Sequence, residues 1–309
     1  MVGGNKNMSK ENTAVTKKKI KRCKEDVVFD AACFIILTLV LFVVAYPLYW
    51  VIISSISAPS AVSSGKVLLH PIGFTLKGYA EVFKNDQVMR GFLNSLIITF
   101  CGVMVNLIVT LPTSYALSRS NFSGKKPITI FYLITMFFGG GLIPTYLVIQ
   151  RLQMLNTIWA LILPGCLSVY NMIVARTFFK SNISEELYEA AEIDGCTQAR
   201  FFFQIALPLS KAIIAILVLY YGVGHWNSYF SALVYISDKA KYPLQLVLRN
   251  ILITNQTALS QTATTAAARA ALQEKQQLID VMKYSLIIIS SIPVLVMYPL
   301  VQKHFVKGV

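Results

Sequence analysis

Apolar and polar positions along this chain fall into long blocks rather than short periods. Stretches without Lys, Arg, Asp or Glu run over 31–65, 91–118, 127–150, 152–175, 212–237 and 284–302. About 20 apolar residues in a helix cross the hydrocarbon core of a bilayer. A helix also satisfies its own backbone hydrogen bonds in lipid, so each block predicts one spanning helix. The pattern predicts an all-α membrane protein of six transmembrane helices, over about 31–54, 92–117, 128–150, 154–176, 206–236 and 281–302. A seventh uncharged stretch, 250–268, is rich in Asn, Gln, Ser and Thr. It reads as an exposed loop leading into an Ala-rich helix near Ala266–Gln277.

The blocks contain their own interruptions. Pro47, Pro112, Pro144, Pro164, Pro293 and Pro299 each remove a backbone donor and tend to kink a helix. Gly139, Gly140 and Gly141 followed by Pro144 form the strongest local break, which predicts a bent or partly unwound third helix.

Composition agrees with the blocks. The chain has 309 residues, 55% apolar and 14% charged, whereas a soluble domain carries about 25% charged residues. This excludes an ordinary cytosolic enzyme, and the apolar content excludes a disordered chain. The net charge of +14 would suit nucleic acid or an anionic lipid surface. Its distribution favours membrane topology. Lys6, Lys10, Lys17, Lys18, Lys19, Lys21, Arg22 and Lys24 crowd the tail 1–27 immediately before the first block. By the positive-inside rule that tail is cytoplasmic. Alternation then places 119–126, 176–211 and the C-terminus inside, with 17 basic residues inside and 11 outside. The outer loops would be about 55–90 and 238–280. A basic tail beside a membrane helix, without interleaved aromatics, predicts contact with water and lipid and no nucleic acid. Cys23, Cys33, Cys101, Cys166 and Cys196 all fall inside or within the membrane, which predicts free thiols. Their spacing suggests no metal site.

One polar segment departs from the rest. Five of the 14 acidic residues, Glu185, Glu186, Glu189, Glu192 and Asp194, lie within a few positions. Ser184 is a natural N-cap, and Glu185 and Glu186 complement a helix N-terminus. Leu187, Ala190, Ala191 and Asp194 share a face at helical spacing, and Gly195 supplies a turn. This predicts a short acidic helix beside the membrane. Glu189-Ala190-Ala191, then Gly195, Ile205 and Leu207-Pro208 reproduce the spacing of an EAA loop. The chain therefore resembles permease subunits of binding-protein-dependent ABC importers. Ile193-Asp194-Gly195 and Leu207-Pro208-Leu209 look like the carbohydrate-uptake branch. Gly139–Tyr146, Leu155-Asn156-Thr157, Leu163-Pro164-Gly165, Trp226–Phe230 and Tyr242–Leu246 resemble its oligosaccharide and polysaccharide-fragment permeases.

The resemblance covers roughly 28 to 309 and implies a type I ABC importer permease (MetI-like) fold in the bacterial cytoplasmic membrane, following the basic tail. It implies that 184–200 is a coupling loop docking on a cytoplasmic ATPase dimer, with Glu189, Ala190, Ala191, Asp194, Gly195, Leu207 and Pro208 as its key positions. It also implies a second homologous permease, an extracytoplasmic solute-binding protein and a sugar substrate. ATP and Mg would be bound by the partner ATPase and no cofactor by this chain, because no Walker A pattern occurs in it. The chain is thus expected to be a transport subunit with no catalytic residues.

Sugar passage needs uncharged hydrogen-bonding groups and aromatic platforms. Asn94, Asn106 and Tyr132 are candidates, and Tyr170, Asn171, His225, Trp226, Asn227 and Tyr229 are the favoured ones. The bland reading of the same residues is helix–helix hydrogen bonding and interfacial aromatics. The alternatives are an ABC permease for another solute such as a peptide, and a secondary carrier. The absence of a carboxylate in mid-span disfavours the carrier.

Overall fold

A computed structural model describes residues 24–258 and 266–305. The basic tail up to Cys23 and the terminal Lys307, Gly308 and Val309 lie outside the described residues. The chain divides into two compact units, with the boundary between Tyr49 and Trp50. The described part of the first unit is helical from Lys24 onward, as the first turns of α1 (Lys24–Ser55). Phe34, Leu37, Leu41, Phe42 and Leu48 on it are exposed, as suits a helix facing lipid.

The second unit begins with the last turn of α1 and continues through α2 (Pro59–Ser63), α3 (Lys77–Lys84) and α4 (Asp86–Ser118). Then come α5 (Lys125–Phe137), α6 (Leu142–Arg151), α7 (Trp159–Ile162), α8 (Val169–Asn182), α9 (Glu185–Ile193), α10 (Gln198–Phe201), α11 (Leu207–Leu209) and α12 (Lys211–Trp226). The unit ends with α13 (Tyr229–Tyr235), α14 (Leu244–Ala258) and α15 (Ala266–Phe305). Among the described residues there is no β-strand.

Three described helices are long and apolar enough to cross a membrane, in α1, α4 and α15. The other three apolar blocks are bent pairs, giving up to six spans if each pair counts as one. The third block turns by 113° between α5 and α6, at the glycine run where the sequence predicts a break. The fourth turns by 52° between Trp159–Gly165 and α8, after Pro164. The expected continuous helix over 206–236 is not one rod. A π-helical turn at Phe202–Ala206 and an 80° bend at Ser210 precede α12, and a further break at Asn227–Ser228 separates α12 from α13. Pro208 cannot donate to the preceding turn, where the π-helical turn lies. The expected loop over 250–268 is corrected in part, its residues 259–265 lying outside the described ones. Residues 250–258 belong to α14, because Leu244, Val247 and Leu248 with Ile251 place an apolar stripe against Val82, Val88 and Leu286.

The second unit is assembled around α4. Near its N-terminal end, Asn94 Nδ2 donates to the Ala240 and Tyr242 carbonyls, and Ser95 Oγ accepts the Leu244 N–H at 2.8 Å. Midway, Asn106 Nδ2 donates to the Gly165 carbonyl at 2.8 Å, leaving Oδ1 to accept from His225 Nε2 at 2.7 Å. A turn later, Thr110 Oγ1 and the Tyr221 hydroxyl bond at 2.7 Å, and Ser114 Oγ donates to the Met172 carbonyl. At the C-terminal end the Leu117 carbonyl accepts from Arg176 Nε at 3.0 Å. Such contacts are worth about 0.6 kcal/mol each on average between membrane helices. They fix register where lipid supplies no hydrophobic preference for one packing over another. Aromatic packing completes the C-terminal end, where Tyr115 lies among Phe179, Phe201 and Phe202.

Gly102 is required where α4 meets α12. A Cβ there would lie 2.5 Å from the imidazole of His225, whose ring is held by Asn106. Gly102→Ala should therefore destabilise the protein by about 1–3 kcal/mol, as overpacking does. Gly139→Ala, with nothing within 4 Å, is the control. Thermal unfolding in detergent should separate the two variants, and equal midpoints would show that the His225 ring yields freely.

Candidate functional site

Two regions have the geometry of a functional site. The first is the acidic helix α9. Ser184 Oγ accepts the Leu187 N–H, and Glu185 and Glu186 occupy the first turn. At the other end, the Cys196 N–H bonds to the Ala191 carbonyl and the Gly195 N–H to the Glu192 carbonyl. This is a Schellman cap, and Gly195 takes the left-handed conformation it requires, with φ +74°. Both ends of the helix are therefore determined locally.

Tyr188 is the buried side chain of α9, packed edge-on to Phe201 at 5.3 Å, with Ala191 half-buried beside it. The face predicted from spacing divides accordingly. Leu187, Ala190 and Asp194 are exposed, together with Glu189, while Ala191 turns towards the protein. Leu207 is half-buried against the same core, and Pro208 stands exposed at the bend. Ile193 is 86% exposed, an apolar side chain at the end of an acidic helix. Sequence reasoning placed Ile193 in a motif but missed this exposure. The helix thus presents a small, acidic and partly apolar surface outward, on a base held by aromatic packing.

The second region is a cavity of about 490 Å³. It opens where three helices break or end, at Leu163–Gly165, at the start of α8, and at Asn227–Ser228. Asn171, His225 and Asn227, three of the favoured path residues, line it together. Ser168, Tyr220, Ser228, Phe230 and Ser231 line it as well, and sequence reasoning did not single them out as path residues. Among these lining residues none is Lys, Arg, Asp or Glu. The Ser228 hydroxyl is buried without a hydrogen-bond partner. With Nε2 donating to Asn106, neutral His225 keeps Nδ1 as its ring acceptor. Hydroxyls, amides, an imidazole and one phenyl ring suit a neutral, hydroxyl-rich ligand better than an ion or an apolar one.

The remaining path candidates lie elsewhere. Trp226 is buried on the opposite side, donating Nε1–H to the Ser290 carbonyl at 2.9 Å and packing edge-on to Phe92. Tyr170 and Tyr229 are exposed and do not line the cavity. Asn94 and Asn106 are committed to bonds between helices. Tyr132 is half-buried on α5 against Phe131. Position on the sequence could not divide these residues, because helical phase decides which side of a break each one faces.

No protein-family model matches the chain. Curated relatives do. The chain is 35% identical over 280 residues to the polygalacturonan/rhamnogalacturonan transport system permease protein YtcP of Bacillus subtilis (strain 168), covering 91% of this chain and 96% of the relative. It is 38% identical over 281 residues to protein LplC of the same organism, covering 91% and 92%. It is 29% identical over 285 residues to that organism's galactooligosaccharides transport system permease protein GanQ, covering 89% and 92%. Among solved structures, a chain of a bacterial ABC transporter involved in the import of the acidic polysaccharide alginate superposes with a TM-score of 0.82 at 27% identity, covering 92% of this chain and 99% of that one. Two of these relatives are named as transport system permease proteins, in agreement with the apolar helices described above. The chain belongs to the permease family of sugar ABC transport systems.

Proposed function

We propose that this chain forms, with a second homologous permease, the membrane path of an ATP-driven importer of oligosaccharides or polysaccharide fragments. In this reading α9 is the coupling helix that docks on a cytoplasmic ATPase dimer. ATP and Mg act on that partner. The N- and C-termini are cytoplasmic, and the end carrying α3 and the start of α14 meets an extracytoplasmic solute-binding protein. The observation that carries the reading is the outward surface of α9: Glu189, Ala190, Ile193 and Asp194 exposed on a helix whose other face is pinned by Tyr188. A short helix with a rigid base and a small-residue face approaches a partner's groove closely, and Glu189 offers it a carboxylate. The neutral cavity supplies the hydroxyl-binding surface. Neutral oligosaccharides are the first substrates to test, in keeping with the uncharged cavity and the galactooligosaccharides named for one relative.

The assembly test is co-expression of this chain with its neighbouring permease and candidate ATPase. Co-purification, followed by hydrolysis stimulated by loaded binding protein, supports the reading, and failure to bind any ATPase removes it. Glu189→Lys and Gly195→Pro should insert normally yet lower uptake at least about tenfold, since typical coupling energies of about 1–3 kcal/mol correspond to about 5–150-fold. Normal uptake in both variants would defeat the coupling role of α9. Tyr188→Ala should instead lower the amount of folded protein, since a large buried aromatic costs about 3–5 kcal/mol to truncate.

The cavity makes a separate prediction. Asn171→Ala or Ser231→Ala removes one hydrogen bond to a passing sugar, worth about 0.5–1.5 kcal/mol. Initial uptake rates should fall by about two- to tenfold while the ATPase still co-purifies. Unchanged uptake in both variants would place the sugar path elsewhere.

A further inference from the structure

Arg119 is unusual among the basic residues of this chain. It follows the last turn of α4 as its C-cap, and its side chain is only 11% exposed. The guanidinium carbon lies 5.2 Å from the centre of the Tyr115 ring, on α4, and 5.9 Å from that of Tyr188, on α9. Nη2 donates to the Ile183 carbonyl at 3.1 Å, at the junction of α8 and α9. Nη1 is 3.6 Å from Glu185 Oε2, in the first turn of α9. The other oxygen of Glu185 accepts the Ser120 N–H at 3.1 Å. Lys125 Nζ, at the start of α5, donates to the Arg119 and Ser120 carbonyls. One side chain and its immediate neighbour therefore join the end of α4 to both ends of the α8–α9 turn and to α5.

The bonding of Arg119 is incomplete for so buried a charge. Nε and Nη1 are buried and make no hydrogen bond, although Nη1 faces the Glu185 carboxylate. Burying a guanidinium is costly unless its donors are used, and a purely structural strut would use them. A planar cation between two tyrosine rings can slide while keeping its ring contacts, and its spare donors then meet new acceptors as the neighbouring helix shifts. Covalently, α9 connects only to α8 and, through the π-helical turn and the bend at Ser210, to α12. It has no chain connection to α4. Yet α4 holds Asn106, whose side chain bonds Gly165 and His225, two residues of the cavity.

We propose that Arg119 is a positioning residue that transmits displacement of α9 to α4, acting through Glu185 and Tyr188, and so couples the motor side to the cavity. The inference rests on the reading of α9 as the coupling helix and adds to it a route that does not follow the chain. Loss of the link leaves α9 able to bind its partner but unable to move α4.

The test uses the full assembly in proteoliposomes, with ATP and vanadate as the probe and no sugar required. A reporter Ser231→Cys in the cavity is placed in a background whose native cysteines are replaced by serine, and its maleimide labelling rate is followed. With Arg119 intact, trapped nucleotide should change the rate by about tenfold. Arg119→Ala should keep the ATPase bound and the unfolding midpoint near normal but lose the nucleotide response. Arg119→Lys, which keeps the charge towards Glu185 but loses the planar stacking, should recover part of it. A full response in Arg119→Ala overturns the proposal alone. No response even with Arg119 intact overturns the coupling role of α9 and this proposal with it. Failure of both Arg119 variants to assemble would make the residue a structural strut, and overturns it too.

Discussion

The constraint on which this structure depends is the absence of a hydrophobic preference between helices surrounded by lipid. Apolar side chains gain little there by touching one another instead of acyl chains, so van der Waals fit and polar contacts must choose the arrangement. In this protein those contacts are concentrated on α4. From Asn94 to Arg119, one helix supplies hydrogen bonds to the segment before α14, to the fourth and fifth apolar blocks and to the α8–α9 junction. Small residues permit the close approach that such short bonds require, as Gly102 does beneath the His225 ring.

The same constraint explains where the helices are broken. An interrupted helix exposes backbone groups, and in lipid these need partners. The Gly165 carbonyl, freed near Pro164, is taken up by Asn106, and the Ser168 N–H donates to the Tyr221 hydroxyl. The break in the fourth block thus sits beside polar side chains on neighbouring helices. The cavity forms where polar groups from several helices converge at such breaks. Fold stability and an uncharged hydrogen-bonding surface arise from one set of residues.

At α9 the logic is different, because its ends and outward face are exposed and local contacts fix the helix. There α9 is defined by ordinary caps, Ser184 at one end and Gly195 at the other, and is held by aromatic burial of Tyr188. Its rigidity comes from this base, which leaves the opposite face free of structural duties. The coupling role proposed for α9 rests on that division, since a surface that both holds the fold and binds a partner cannot change one role without disturbing the other.

Much of this was legible in the chain alone. The charge-free blocks mark the apolar segments, because the bilayer sets a length that few soluble elements imitate. The acidic helix and its caps are legible because capping is a matter of neighbouring residues. The break at Gly139–Pro144 is legible for the same reason. Local signals did not show that the stretch over 206–236 bends twice, or that 250–258 is helical, since there polar composition competes with an apolar stripe whose value appears only on packing against Val82 and Leu286. Nor did they show which polar residues face the cavity. Asn171, His225 and Asn227 do, whereas Trp226, adjacent to two of them, faces Ser290. The burial of Arg119 between two tyrosine rings and the exposure of Ile193 also required coordinates, because such contacts join residues far apart in sequence. Sequence by itself determined the segments that must lie in lipid and the ends of the helices that cap themselves. Tertiary structure decided which faces meet, because that choice rests on a few polar contacts whose partners are set by helical phase and crossing geometry.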